Sequence, residues 1–357
     1  MKFYQKTVFL LLLLTLVLAT YGCKAELSEA ETDMLTMKYE LSDEEELEPF
    51  YVSDTKIYAA VNKIDLSQTE VPNFGAATER FIVYDYKTGK EEARYNLDEN
   101  NAYIYHAMPF EQGIIYAVYT LPEPDAAMDE SIQWNVKYTS DEGTRVLDSG
   151  RCRSVYVMPG FAILDGDVYY LYENFNEKTG YGFGINRADL YNPETMMEEK
   201  DYSISETEFY SNGTDFAILV DGKHDVLIGN AEGIYREYDL PEKMSHFGIC
   251  KDYIFCCTTS NENQWTARSI SLETGEEYME EIKMPLYRIS SMSGDELTCV
   301  DMRFDMYILR PGKKFEIVPV DATPEILTNR KYVRYYPYGD TKTLAQIDET
   351  KFCRITW

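Results

Sequence analysis

Two series of short turns alternate along these 357 residues, and that alternation constrains the fold more than any other feature. The first series is Ser53-Asp54-Thr55, Glu111-Gln112-Gly113, Asp165-Gly166-Asp167, Asn212-Gly213-Thr214, Lys251-Asp252, Ser293-Gly294-Asp295 and Tyr338-Gly339-Asp340. The second runs Lys87 to Lys90, Asp141 to Thr144, Asn192 to Thr195, Ala231 to Gly233, Glu273 to Glu276, Arg310 to Lys313 and Asp348 to Lys351. Glycine, asparagine and aspartate supply the positive φ of tight hairpins. Each turn of the first series leads into a strand such as Lys56 to Val61, Ile114 to Tyr119 or Val168 to Tyr172. The joint period is about 47 residues, within the range of repeat architectures. Each period therefore holds four strands, built as two hairpins.

Four-stranded units repeated radially make a β-propeller, which closes into a ring and leaves only short edges. The chain contains 31 tyrosines, and tyrosine with Val, Ile and Phe favours strands. No 3.6-residue periodicity supports a helical repeat. The expected fold is all-β, a propeller of seven four-stranded blades at 47–98, 103–150, 153–203, 206–241, 244–283, 286–321 and 325–357. Blades 1 to 3 carry extra residues, which leaves six or eight blades open. Blade 7 looks complete by itself, with Trp357 inside its outer strand, and residues 34–41 are a short strand that can lie against it.

The N-terminus gives an address. Lys2 and Lys6 precede an apolar run from Val8 to Leu18, too short to span a bilayer comfortably, followed by Ala19-Thr20-Tyr21-Gly22-Cys23. A small residue immediately before a cysteine resembles a bacterial lipoprotein signal, which implies an acylated Cys23 as the mature N-terminus. That divides the chain into a signal peptide (1–22), an acidic, flexible tether (23–46) and the propeller (47–357), with the protein extracytoplasmic and lipid-anchored to a bacterial membrane. The formal net charge of −28 repels phosphate backbones, so nucleic acid is excluded as a partner. The expected partners are the membrane, through Cys23, and a glycan, peptide or envelope protein.

The Thr-Gly turns at Lys87 to Lys90 and Glu273 to Glu276 resemble those of bacterial quinoprotein-like and related propeller lipoproteins. The quinoprotein repeat adds a tryptophan after that turn. Here Tyr95 and Tyr278 stand in its neighbourhood, and the tryptophans are Trp134, Trp265 and Trp357, so no quinone or other cofactor is expected. Cys152, Cys250, Cys256, Cys257, Cys299 and Cys353 lack the spacing of a disulfide framework and read as buried thiols. With three histidines and no CxxC pair, no metal site is expected. Nucleophile-elbow, phosphate-loop and dinucleotide motifs are all missing, and no catalytic residue is assigned.

Two features point to binding. Five residues before each first-series turn stand Glu48, His106, Gly160, Thr207, His246, Arg288 and Val333, toward the start of each innermost strand. Glu48, His106, Thr207, His246 and Arg288 would line the mouth of the axial channel, with His106, His246 and Arg288 forming a local basic ring. The connections 63–80, 121–131, 173–182 and 258–265 emerge at the same end and carry Phe74, Phe175, Tyr181, Asn261, Asn263 and Trp265, rings and amides suited to sugar or peptide capture. The reading that follows is a tethered, non-catalytic binding propeller. A propeller enzyme acting on extracellular carbohydrate and a scaffold subunit of an envelope assembly are the alternatives.

Overall fold

The computed structural model describes residues 28–357 apart from 64–76, 98–101, 121–131, 155–156, 177–179, 200–203, 221–224, 240–242, 260–263, 284–285, 288, 290–293, 302–304, 313–315, 322–333, 339–341 and 349. Among the described residues there is no α-helix. Two short strands come first, β1 (Ser28–Glu29) and β2 (Glu31–Thr36). Blade 1 is β3 (Glu45–Val52), β4 (Lys56–Lys63), β5 (Ala77–Asp85) and β6 (Glu91–Asn96). Blade 2 is β7 (Ala102–Phe110), β8 (Gly113–Thr120), β9 (Ile132–Ser140) and β10 (Gly143–Cys152). Blade 3 is β11 (Gly160–Leu164), β12 (Asp167–Asn176), β13 (Gly180–Arg187) and β14 (Glu194–Glu199). Blade 4 is β15 (Ile204–Ser211), β16 (Asp215–Val220), β17 (Asp225–Asn230) and β18 (Gly233–Asp239). Blade 5 is β19 (Lys243–Cys250), β20 (Tyr253–Thr259), β21 (Trp265–Ser271) and β22 (Glu277–Ile282). Blade 6 is β23 (Leu286–Tyr287), β24 (Leu297–Asp301), β25 (Met306–Arg310) and β26 (Glu316–Asp321). Blade 7 draws β27 (Arg334–Tyr338), β28 (Lys342–Gln346) and β29 (Lys351–Thr356) from the C-terminus.

Within each blade the strands are antiparallel neighbours in chain order, and a single bridge, Ala77 to Tyr103, joins blades 1 and 2. The first strand of each blade touches the first strand of the next from β3 to β23, and β27 returns to β3. The first strands therefore line the axis and the fourth strands form the rim. The fold is a seven-bladed β-propeller. Its core is the set of layers between blades: Leu47, Ile57, Ile82, Leu344 and Phe352 between blades 7 and 1, Phe81, Ile114 and Tyr116 between 1 and 2, and Met306, Val318, Ala345 and Ile355 between 6 and 7. Alternate residues of each second strand face opposite neighbours, so both faces of every blade are apolar. Ile254 and Cys256 pack toward blade 4, Phe255 and Cys257 toward blade 6.

The turns between first and second strands are hydrogen-bonded to one another around one face. Asp165 N donates to the Gly213 carbonyl at 2.7 Å, Asn212 Nδ2 to the Lys251 carbonyl at 3.1 Å, and Lys251 N to the Gly294 carbonyl at 3.1 Å. Asn212 also folds its own hairpin, its Oδ1 accepting from Thr214 N and Asp215 N.

The ring closes differently from the sequence expectation. Blade 7 is not complete by itself, because β29 is its third strand, and the fourth is β2, paired antiparallel from Glu31–Thr356 to Thr36–Lys351. The strand is 31–36 and not 34–41. Asp348 to Lys351 accordingly joins the second and third strands. β1 adds in parallel to the rim strand of blade 6, Ser28 opposite Val320 and Glu29 opposite Asp321. Part of the segment expected to be tether is thus built into two blades. The physical reason is the edge: β29 would otherwise expose a full row of backbone donors and acceptors.

Rim strands elsewhere are blunted. β6, β10, β14 and β18 each carry one unpaired residue, Glu92, Leu147, Met196 and Tyr235 respectively. Bulges and charged residues on an edge discourage pairing with a further strand. The six cysteines from Cys152 to Cys353 are free and buried, and burial pushes the Cys152 and Cys250 thiols up to about 12.

Candidate functional site: the mouth of the axial channel

Because each first strand runs away from its start and the second returns, the second-to-third connections emerge beside the starts of the innermost strands. Register decides which side chains meet there. Glu48 lies opposite Ala60, His106 opposite Ala117 and His246 opposite Cys257, equivalent positions of blades 1, 2 and 5. Gly160, opposite Leu171, is the counterpart in blade 3. Thr207 falls in the irregular stretch between Ile204 and Phe209, opposite Leu219.

In blades 6 and 7 the count from the turn is off by one. Tyr287, not Arg288, lies opposite Val300, and Arg334, not Val333, lies opposite Gln346. Blade 1 gains a residue from the bulge at Phe50, whereas β27 pairs without interruption, so the spacing that fits blade 1 overshoots in blade 7. Arg288 itself lies outside the described residues, as do Cys23, Phe74, Asn261 and Asn263; the side chains of Thr207, His246, Phe175 and Tyr181 are likewise not described.

Arg334 is the residue that counting missed, and it organises one side of the mouth. Its Nη1 donates to Glu48 Oε1 at 3.0 Å and its Nη2 lies 3.0 Å from Glu46 Oε1. Burial disfavours the guanidinium charge, but Glu48 and Glu46 together push its pKa up. Glu48 Oε2 accepts from Asn62 Nδ2 at 3.0 Å, and Asn62 Oδ1 accepts from Thr78 Oγ1 at 2.7 Å. Asn62 and Thr78 are buried, so the carboxylate is anchored by a polar chain reaching into the blade.

On the next blade round from Glu48, Tyr105 is a bulge in β7 and His106 follows it, with the two ring centroids 4.9 Å apart. His106 reaches solvent, but the strands packed around it displace part of the water that would solvate a cation. Desolvation accordingly pushes its pKa down to about 4. The basic ring expected of His106, His246 and Arg288 is not what the described residues form: His106 is neutral at pH 7 and Arg334 is matched by two carboxylates. Arg334, Glu46, Glu48 and His106 together carry one net negative charge.

The histidine gives a pH prediction. Its folded pKa lies below the usual value of about 6.5, so acid protonates the unfolded state first. Stability is lost as pH falls from about 6.5 toward 4, less steeply than full burial would give because channel water reaches the ring. Urea midpoints at pH 7 and pH 4.5 check it: His106→Gln should lose less on acidification than the native chain, and equal losses would refute the assignment.

The aromatic loop residues sit differently from expectation. Pairing of β12 with β13 extends to Asn176–Gly180, so Phe175 and Tyr181 are backbone register partners on strands and not loop residues. Trp265 is the first residue of β21, paired to Thr259 and Ile282 and half-buried. Strand pairing satisfies more backbone groups than the expected loops would. Among the described residues no three His, Cys, Asp or Glu side chains gather to hold a metal ion.

No protein-family model and no curated protein matches the sequence. The chain is similar in fold to a solved prolyl endopeptidase, with a TM-score of 0.50 and 13% identity over 86% of this chain and 47% of that one. It thus spans about half the length of that protein. It also matches the WD40 β-propeller domain of Doa1 (TM-score 0.48, 8% identity, 91% and 97% covered) and the WD40 domain of SCAP from fission yeast (TM-score 0.48, 9% identity, 91% and 98% covered). At such identities the likeness concerns the fold alone.

Proposed function

We propose that this chain is an extracytoplasmic propeller, lipid-anchored through Cys23, that binds a glycan or peptide at the channel mouth without transforming it. The observation that carries the reading is the pair of Arg334 and Glu48 on the first strands of blades 7 and 1, with Glu48 held by Asn62 and Thr78 of the second and third strands where their connection emerges. A mouth of small net charge lined by carboxylate, amide, phenol and neutral imidazole suits a hydroxyl- or amide-rich partner better than an anion.

Pull-down of envelope extracts with the mature domain tests this. Glu48→Gln keeps the side-chain shape but removes the charge on Arg334's partner, and Arg334→Ala removes the clamp. Both should weaken capture of a retained glycan or peptide about tenfold, about 1.4 kcal/mol, while Met279→Ser on the rim leaves it unchanged. A native domain retaining nothing at micromolar levels, or variants binding as well as it does, refutes the proposal.

A further inference from the structure

The N-terminal strands set where the membrane lies, given the anchoring at Cys23 proposed above. We infer that the rim of blades 6 and 7 is the membrane-facing edge, and that the propeller stands edge-on at close range to the lipid surface. Ser28 is already paired to Val320 of blade 6, and residues 31–36 complete blade 7. The chain after them is also fixed. Met37 N donates to the Thr350 carbonyl and Lys38 N to the Gly89 carbonyl, and the Tyr39 ring lies under the Arg80 and Arg94 guanidinium groups at 5.7 and 5.5 Å. Gly89 admits this path because a Cβ there would overlap the Thr36 carbonyl oxygen.

The chain between the anchor and the first paired residue is therefore Cys23 to Ser28, five residue steps. Fully extended it reaches about 17 Å. A domain of this size has a radius of gyration of about 20 Å, so the opposite rim stands about 50 Å away and cannot exchange places with the anchored one. The 24-residue acidic spacer read from sequence would have let the domain tumble. The anchored edge presents Glu31, Asp33 and Glu316, all exposed, so it is held near anionic headgroups by its tether and not by attraction.

Energy transfer on the processed, acylated full chain in vesicles of phosphatidylcholine with acceptor-labelled lipid tests the orientation. The native thiols are buried and Cys23 is blocked by its lipid, so one added surface cysteine takes the donor selectively. Glu316→Cys on blade 6 should transfer several-fold more efficiently than Tyr191→Cys on blade 3. Inserting twenty Gly/Ser residues between Glu26 and Leu27 should erase the contrast. Equal transfer from the two sites in vesicle-bound protein without the insert overturns the orientation alone. Protein that does not associate with the vesicles overturns the anchoring as well.

Discussion

A domain that begins at Lys38 should be less stable than one that begins at Lys24 by about 3–6 kcal/mol, from the loss of two buried side chains alone. Leu35 and Met37 are buried in the layer between blades 7 and 1, with Ile82, Tyr84 and Phe352. Their removal also strips the edge of β29, which bears no bulge along its pairing with β2. Since whole domains are stable by only about 5–15 kcal/mol, the shortened chain should unfold at much lower urea and self-associate through the bared edge. A synthetic peptide of residues 28–38 added in trans should restore the midpoint. An unchanged midpoint and a monomeric elution profile would show that the N-terminal strands are not needed for closure.

The second large effect is at Glu173. It lies on β12, fully buried, with Oε1 3.0 Å from Arg153 Nε and Oε2 accepting from the Arg153 backbone N–H at 2.7 Å. Arg153 also donates to the Ile204 carbonyl, so the pair ties the entry of blade 3 to the first strand of blade 4. Arg153 is half-buried, so truncating Glu173 leaves a guanidinium that water partly reaches, and the cost is about 2–3 kcal/mol, below the value for a fully buried pair. Glu173→Ala should show that loss in urea unfolding with an unchanged slope, and Glu173→Gln should lose less because it still accepts from the backbone. A loss below about 1 kcal/mol for Glu173→Ala would mean that the site relaxes or admits water.

Blade number and six of the seven blades were legible in the turns, because glycine, asparagine and aspartate mark hairpins wherever a left-handed residue is required. Gly89, Gly213 and Gly275 have positive φ, as that chemistry demands. The closure was not legible. β2 reads Glu-Thr-Asp-Met-Leu-Thr, acidic and without alternating apolar residues, because a rim strand buries one side chain and leaves the rest exposed or half-exposed. The channel mouth was half legible. Counting from turns found Glu48, His106 and His246, whose blades share a register, but missed Arg334, since a bulge changes the count without changing the residues that flank the turn. A cue existed in Arg334-Tyr-Tyr-Pro-Tyr338, where a lone arginine opens an aromatic strand.

The pairing of β2 with β29 fixes the order of assembly. Asp33 and Arg354, ion-paired in blade 7, are 321 residues apart in the chain. The ribosome makes the first of these strands some 321 residues before its partner. Blades 1 to 5 draw all their strands from nearby sequence and can form as each emerges. The fourth strand of blade 7 has nothing to pair with until β29 has been made. Closure therefore waits on β29, and a chain stopped before that strand would hold most of its blades while keeping its ring open.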